Sequence, residues 1–280
     1  GDLLPSPTSV YEDREFGNRI AFWDFSSGTA DEFSVTHDFT LTSYFVRSKI
    51  EQPEQIPPYD AESDLFRLHT RNDDNMVVVD DRVRTLANDI VVTERNPYLA
   101  ARKIYTWILD NMLYLSPERF QRGRGTLAIL DHPEERTLQD GTVYRFYTGD
   151  CGCYSMLFVS LCRSLGIPAR LVVGGWAMGE SGLHAWAVFY LEGIGWLPVD
   201  VSVADTFYPE GDEKNRLAEE IDPAGKKELE TGMVPYFYFG NLDNVRFIMS
   251  KGSDLLLVPA VTHEYEWVIK NSRALCIVSK

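Results

Sequence analysis

Residues 150–200 constrain this chain more than any other stretch. After Gly149-Asp150-Cys151-Gly152-Cys153, the apolar residues Tyr154, Leu157, Phe158, Leu161, Cys162 and Leu165 recur at i, i+3, i+4, i+7, i+8 and i+11. That spacing puts them on one face of a buried helix. Asp150 is suited to cap its first turn, and Gly166-Ile167-Pro168 stops it. Strand-like segments follow at about residues 169–175, 183–191 and 195–201. The last two are separated by a short turn and read as a hairpin. Helix followed by hairpin places the chain in the α+β class.

The same stretch holds a candidate chemistry. Cys151 falls in the first helical turn, where unpaired N–H groups and the positive end of the helix dipole favour a thiolate. Cys153 lies about 200° further round the helix, so the two thiols do not face one cleft. A nucleophilic thiol needs a base, and the chain has five histidines. His37, His69, His132 and His263 lack a supporting pattern and read as structural. His184 opens the strand Leu183–Leu191, just after the Gly-bounded segment 179–182, where a base is rigid yet reachable. If the hairpin loop is Glu192-Gly193-Ile194, Leu191 pairs with Gly195 and Asp200 falls opposite Trp186. Asp200 is then one diagonal step from His184 on the same face, within hydrogen-bonding reach. A four-residue loop without a bulge would put the two on opposite faces. The expected catalytic set is Cys151, His184 and Asp200, with Trp186 as a wall of the cleft and Trp196 beside it.

Residues 149–200 resemble the core of the transglutaminase-like superfamily. The shared pattern is Gly149-Asp150-Cys151, Gly166-Ile167-Pro168-Ala169-Arg170, His184-Ala185-Trp186 and Gly195-Trp196-Leu197-Pro198-Val199-Asp200. The fifteen-residue step from Cys151 to Gly166 matches the family's spacing and selects Cys151 over Cys153. Asn96 to Trp107, with Asn111 and Tyr114, is similar to the helix preceding this core in bacterial members. Gly152-Cys153 departs from the acidic or polar pair common after the cysteine. The resemblance implies a papain-like arrangement, in which the cysteine helix packs on an antiparallel sheet. It also implies thiol acyl transfer to water or to an amine, with Tyr114 near the oxyanion. Three readings follow: a cysteine peptidase or amidase acting on a peptide or protein, a protein–glutamine transferase, and a catalytically silent binding module. The first is the expectation, with no cofactor.

Other features narrow the partners. There are 42 acidic against 27 basic residues, a formal net charge of −15, which repels phosphate backbones and anionic membranes. Nucleic acid is therefore not an expected partner. No run of about 18 apolar residues suggests a membrane-spanning helix. Four cysteines in 280 residues do not make a disulfide framework, and Cys162 and Cys276 read as core. No metal site is expected. Cys151-x-Cys153 lacks further ligands, because Cys162 is about 16 Å further along the helix. Asp73-Asp74 and Asp80-Asp81 read as solvated loop charges, and Arg170 as a salt-bridge partner. No signal peptide is visible, although the leading Gly in place of Met points to trimming. Secreted, periplasmic, surface-attached and cytoplasmic locations all stay open.

Along the chain, residues 1–60 read as a β-rich extension and 61–245 as the catalytic core. Residues 246–280 read as strands packing on the core or on the extension. Within the extension, Ile20–Trp23 and the alternating Phe33–Thr42 read as strands, and 51–59 as a Pro-rich linker. Asn96-Pro97 starts a helix whose apolar positions are Leu99, Ala100, Ile104, Trp107, Ile108 and Met112. Residues 115–149 are mixed and loop-rich. The charged segment 209–232 reads as a solvated excursion, with a lid as the alternative. Tyr236–Phe239, Val245–Ile248, Leu255–Val258 and Trp267–Ile269 carry strand character.

Overall fold

The structure, a computed structural model, describes residues 2–25, 34–73, 76–115, 123–138, 140–177, 182–206 and 235–258. Its helices are α1 (Asp64–Thr70), α2 (Asp81–Val91), α3 (Pro97–Asn111), α4 (Thr126–Leu130), α5 (Cys151–Ser164) and α6 (Val201–Thr206). The N-terminal strands are β1 (Asp2–Leu4), β2 (Ser9–Glu12), β3 (Arg19–Phe22), β4 (Thr36–Asp38) and β5 (Val46–Arg47). Strands β6 (Met112–Tyr114), β7 (Glu134–Thr137) and β8 (Val143–Gly149) form a small sheet in the order β6-β8-β7. The central antiparallel sheet runs β11-β10-β9-β13. Its members are β9 (Ala169–Trp176), β10 (Leu183–Leu191), β11 (Gly195–Val199) and β13 (Arg246–Lys251). β12 (Asn241–Leu242) pairs with β5. The fold is α+β.

Helix α5 occupies the middle of the molecule. One side lies on β9 and β10, and α2, α3, α4 and α6 pack around it. The sequence reading gave it a single apolar face. In the fold, every residue from Gly152 to Arg163 is buried, because neighbours cover the other sides as well. Its small polar residues are satisfied locally: Ser155 Oγ donates to the Cys151 carbonyl at 2.8 Å, and the Ser160 and Thr126 hydroxyls bond at 2.6 Å. Ala169, Leu171, Ala187, Phe189, Leu191, Leu197 and Val199 join Leu157, Phe158 and Leu161 in one core. The opposite face of the sheet buries Val172, Trp186 and Leu242. Period-2 alternation thus sorts each strand between the two faces.

Several expectations change. Asp80 is not a loop charge: its Oδ1 accepts from the Val83 N–H at 2.8 Å and caps α2. Asp73 is not solvated either. It accepts from Arg163 at 2.8 Å, Arg71 at 2.9 Å and Ser253 at 2.7 Å, so α5, the segment after α1 and the segment after β13 meet on one carboxylate. Arg170 lies over the Trp196 ring, 4.2 Å from its centroid, and has no carboxylate partner among the described residues. Of the Phe33–Thr42 alternation, the described residues 34–42 hold only the three-residue β4, with Phe39 and Leu41 exposed. Tyr236–Phe239 is not a strand but a 3-10 turn at Pro235–Tyr238 leading into a single bridge from Phe239 to Val199. Consecutive Tyr238 and Phe239 are both buried, which an alternating strand on one core face does not allow. Leu255–Val258 forms no strand, and Leu256 and Val258 are exposed. The 209–232 excursion, Trp267–Ile269, His263 and Cys276 lie outside the described residues.

His69 is buried against Trp196, their rings edge-on at 4.7 Å, and its Nδ1 has no partner. Burial first, then the cations of Arg170 and Arg163, push its pKa down to about 3. An unfolded histidine titrates near 6.5, so between those values the unfolded chain takes up a proton that the fold refuses. The stability from neutral His69 is complete above about pH 6.5 and drains away as pH falls towards 3. Denaturant midpoints of wild type and His69→Gln, measured from pH 7 to pH 4, should shift progressively in the variant's favour. A pH-independent difference would refute this account.

Candidate active site

Strand β8 runs straight into the nucleophile helix. Asp150 follows it and accepts from the Cys153 N–H at 3.1 Å, closing the first turn of α5. Arg124 pairs with the other oxygen of Asp150 at 2.6 Å. Cys151 is thereby presented at the helix start, and it is partly exposed, while Cys153 and Cys162 are buried. All three are free thiols. Burial pushes the Cys162 thiol up, which makes it inert.

The hairpin turns through 192–194, with Leu191 opposite Gly195 and Ala187 opposite Val199. Gly193 adopts a positive φ of 75°, which suits the residue with no Cβ. Continuing that register sets Asp200 against Trp186, diagonal to His184. The His184 Nε2–H donates to Asp200 Oδ2 at 2.7 Å, and both residues are buried. Asp200 Oδ1 accepts from the Ser202 hydroxyl and the Val203 N–H, each at 3.1 Å, so the same carboxylate starts α6. Oδ2 also accepts from Arg246.

Burial disfavours charge on both residues, but their partners outweigh it. The Asp200 carboxylate, the hydrogen bond to it and the Cys151 sulfur that accepts from the ring raise His184 to about 9. The His184 and Arg246 cations hold Asp200 well below the usual carboxylate range. At neutral pH this is an imidazolium on a carboxylate, with the cysteine sulfur beside it. His184 is stacked between aromatic rings, Trp176 at 4.4 Å and Trp186 at 6.0 Å.

The structure therefore brings Cys151, His184, Asp200 and Trp186 together. Tyr114 pairs with Gly149 across β6 and β8, two residues before Cys151, and is half exposed. Trp196 is displaced from the site: it pairs with Tyr190 and touches His69 and Arg170, toward the far end of β10. Sequence reasoning missed Arg246 and Asp243, and read Gly174-Gly175-Trp176 only as a close backbone approach at a cleft rim or strand crossing. The available signal was an arginine inside the apolar run Val245–Ile248, an expensive residue to place in a strand unless it is paired. Among the described residues, no group of three or more His, Cys, Asp or Glu could hold a metal ion. None of the described helices is long and apolar enough to cross a membrane.

Residues 84–201 match the family described as the transglutaminase-like superfamily, a stretch that contains Cys151, His184 and Asp200. This stretch is similar to a transglutaminase-like domain. An uncharacterized protein of Haemophilus influenzae is 30% identical over 188 residues, covering 59% of this chain and 45% of that protein. The chain thus spans less than half the length of this curated relative. Among solved structures, a "putative cysteine protease" from Cytophaga hutchinsonii is similar at a TM-score of 0.42 and 22% identity, covering 55% of this chain and 48% of that one. The periplasmic domain of TgpA from Pseudomonas aeruginosa is similar at a TM-score of 0.36 and 17% identity, covering 58% of this chain and 51% of that one. The match to the transglutaminase-like domain ends one residue past Asp200, so Asp243 and Arg246 lie beyond it.

Proposed function

We propose that this chain is a cysteine-dependent hydrolase of peptide or amide bonds, with Cys151 as nucleophile, His184 as general base and acid, and Asp200 as the group that orients His184. The observation that carries the reading is the division of the imidazole between its two neighbours. Nε2 is committed to Asp200 at 2.7 Å, which leaves Nδ1 for the Cys151 thiol. In the resting ion pair the Cys151 proton already sits on Nδ1, and the thiolate attacks the substrate carbonyl. The tetrahedral oxyanion is received by the backbone N–H of Cys151 at the start of α5, while the Cys153 N–H stays with Asp150. As the C–N bond breaks, His184 returns the proton to the leaving amine and a thioester remains on Cys151. Water, deprotonated by His184, releases the acid. Trp186 and Trp176 shield the imidazole from bulk water, and Tyr114 borders the cleft at Gly149. The match of 84–201 to the transglutaminase-like superfamily supports this class of chemistry. The proposed substrate class is a peptide or protein.

The test is trapping of the acyl-enzyme. The full chain is incubated with a peptide library, quenched in acid, and its Cys151 peptide weighed, with and without an added primary amine. An acyl mass on Cys151 that vanishes in Cys151→Ala, with carboxylic acid products even when amine is present, is the expected result. Products carrying the amine would reassign the chain to transfer. Peptide turnover undiminished in Cys151→Ala would overturn the reading.

A further inference from the structure

Arg246 sits beneath the triad. It opens β13, at the edge of the central sheet beside β9, and is buried. Its Nη1 donates to Asp200 Oδ2, the atom that also accepts from His184. Its Nε donates to Asp243 Oδ1 at 3.1 Å and its Nη2 to Asp243 Oδ2. Asp243 also accepts from the Tyr238 hydroxyl at 3.1 Å. The guanidinium lies against the Trp176 ring at 4.7 Å and the Trp186 ring at 5.5 Å, the two rings that flank His184.

The arrangement has a charge logic. Arg246 and protonated His184 are balanced by Asp200 and Asp243, so four buried charges sum to zero. A lysine carries the same charge but not a planar fork able to hold two carboxylates at once. The cation also competes with the imidazolium for one oxygen.

Resting on the triad reading above, we propose that Arg246 is a positioning residue: anchored by Asp243, it fixes the Asp200 carboxylate and, by sharing Oδ2, limits its grip on the His184 imidazolium. A base held too tightly as imidazolium neither accepts the thiol proton nor releases the water proton at useful rates. The charged and titratable groups facing this cluster are Cys151 from α5, Asp200 after β11, Asp243 and Arg246 around β13, Tyr238 from the 3-10 turn and Tyr105 from α3.

The test is the pH dependence of Cys151 alkylation by iodoacetamide, resolved by peptide mass spectrometry, which needs no substrate. Buried Cys153 and Cys162 serve as internal reporters of folding. A thiolate–imidazolium pair gives two steps in rate, the upper one marking loss of the His184 proton. Arg246→Met should move the upper step to higher pH, by about one pH unit for loss of an adjacent charge. Arg246→Lys should keep that step near its wild-type pH while lowering the rate. Asp243→Asn leaves the full cation on Asp200 and should move the step to lower pH, which keeps the idea testable if the Met variant does not fold. Unmoved steps in a folded Met or Asn variant would overturn the proposal. Alkylation of wild-type Cys151 that is indifferent to His184→Ala would instead remove the triad reading beneath it.

Discussion

His184→Ala is expected to abolish the fast alkylation of Cys151 at pH 6–7 and to lower kcat/KM for a cleaved peptide by about 10⁴-fold, the scale of loss when a triad base fails. The imidazole is the thiol's hydrogen-bond partner, and among the described residues no other histidine takes that place: His69 is occupied against Trp196, at the far end of β10. Asp200→Asn should approach the same loss for a different reason. Its amide can still cap α6 and still offers a dipole to the ring, but its charge is gone, and with it the main support of the imidazolium. Stability carries an independent signature. The folded pKa of His184, about 9, lies above the unfolded value near 6.5, so the ion pair stabilises the fold fully below about pH 6.5 and is lost as pH rises through about 9. The denaturant midpoints of wild type and His184→Ala should therefore converge between pH 6.5 and pH 9.5. Retained activity, or a stability gap that widens with pH, would remove His184 from its assigned role.

Among the described glycines, Gly174→Ala is expected to be the most damaging single methyl, costing above about 4 kcal/mol, the range reserved for severe backbone or core conflicts. Gly174 faces Ile248 where β9 and β13 pair, beside the irregularity between Ile248 and Ser250. A Cβ there would overlap the backbone carbonyl of Phe247, and Trp186 closes the other side at 3.1 Å. Backbone cannot step aside as a flexible side chain can, so β13 must leave the sheet. Gly175→Ala is the control. Its Cβ would meet the Phe247 ring at 2.9 Å, and a ring can rotate away, at about 1–3 kcal/mol of overpacking. Thermal unfolding should separate the two variants by several degrees. Because β13 carries Arg246, Gly174→Ala should also disturb the pH steps of Cys151 alkylation in whatever fraction stays folded. Equal losses for the two alanines would show that the close approach of the two backbones is not what Gly174 serves.

Much of the site was legible in the chain because its parts are joined by short-range rules. Asp150 caps the helix that starts at Cys151, and a three-residue turn carries His184 to Asp200 across sixteen positions of a hairpin. Cap preference, helical period and strand register act over a few residues, and composition does not blur them. Elsewhere the local signal misled. Asp73 and Asp80 carry the charge expected of solvated loops, yet one is a buried ion-pair acceptor and the other a helix cap. The apolar run Tyr236–Phe239 looked like a strand and became a turn whose consecutive residues are both buried.

Local rules along the chain set the cysteine helix and the hairpin, and put His184 and Asp200 on one face on the condition of a three-residue turn, which the register meets. Only the packed molecule shows which strand lies beside β9, and that Arg246 and Asp243 stand behind Asp200. Those partners come from more than forty residues downstream. No periodicity spans such a distance, and only the packing of the whole sheet chooses between one edge strand and another.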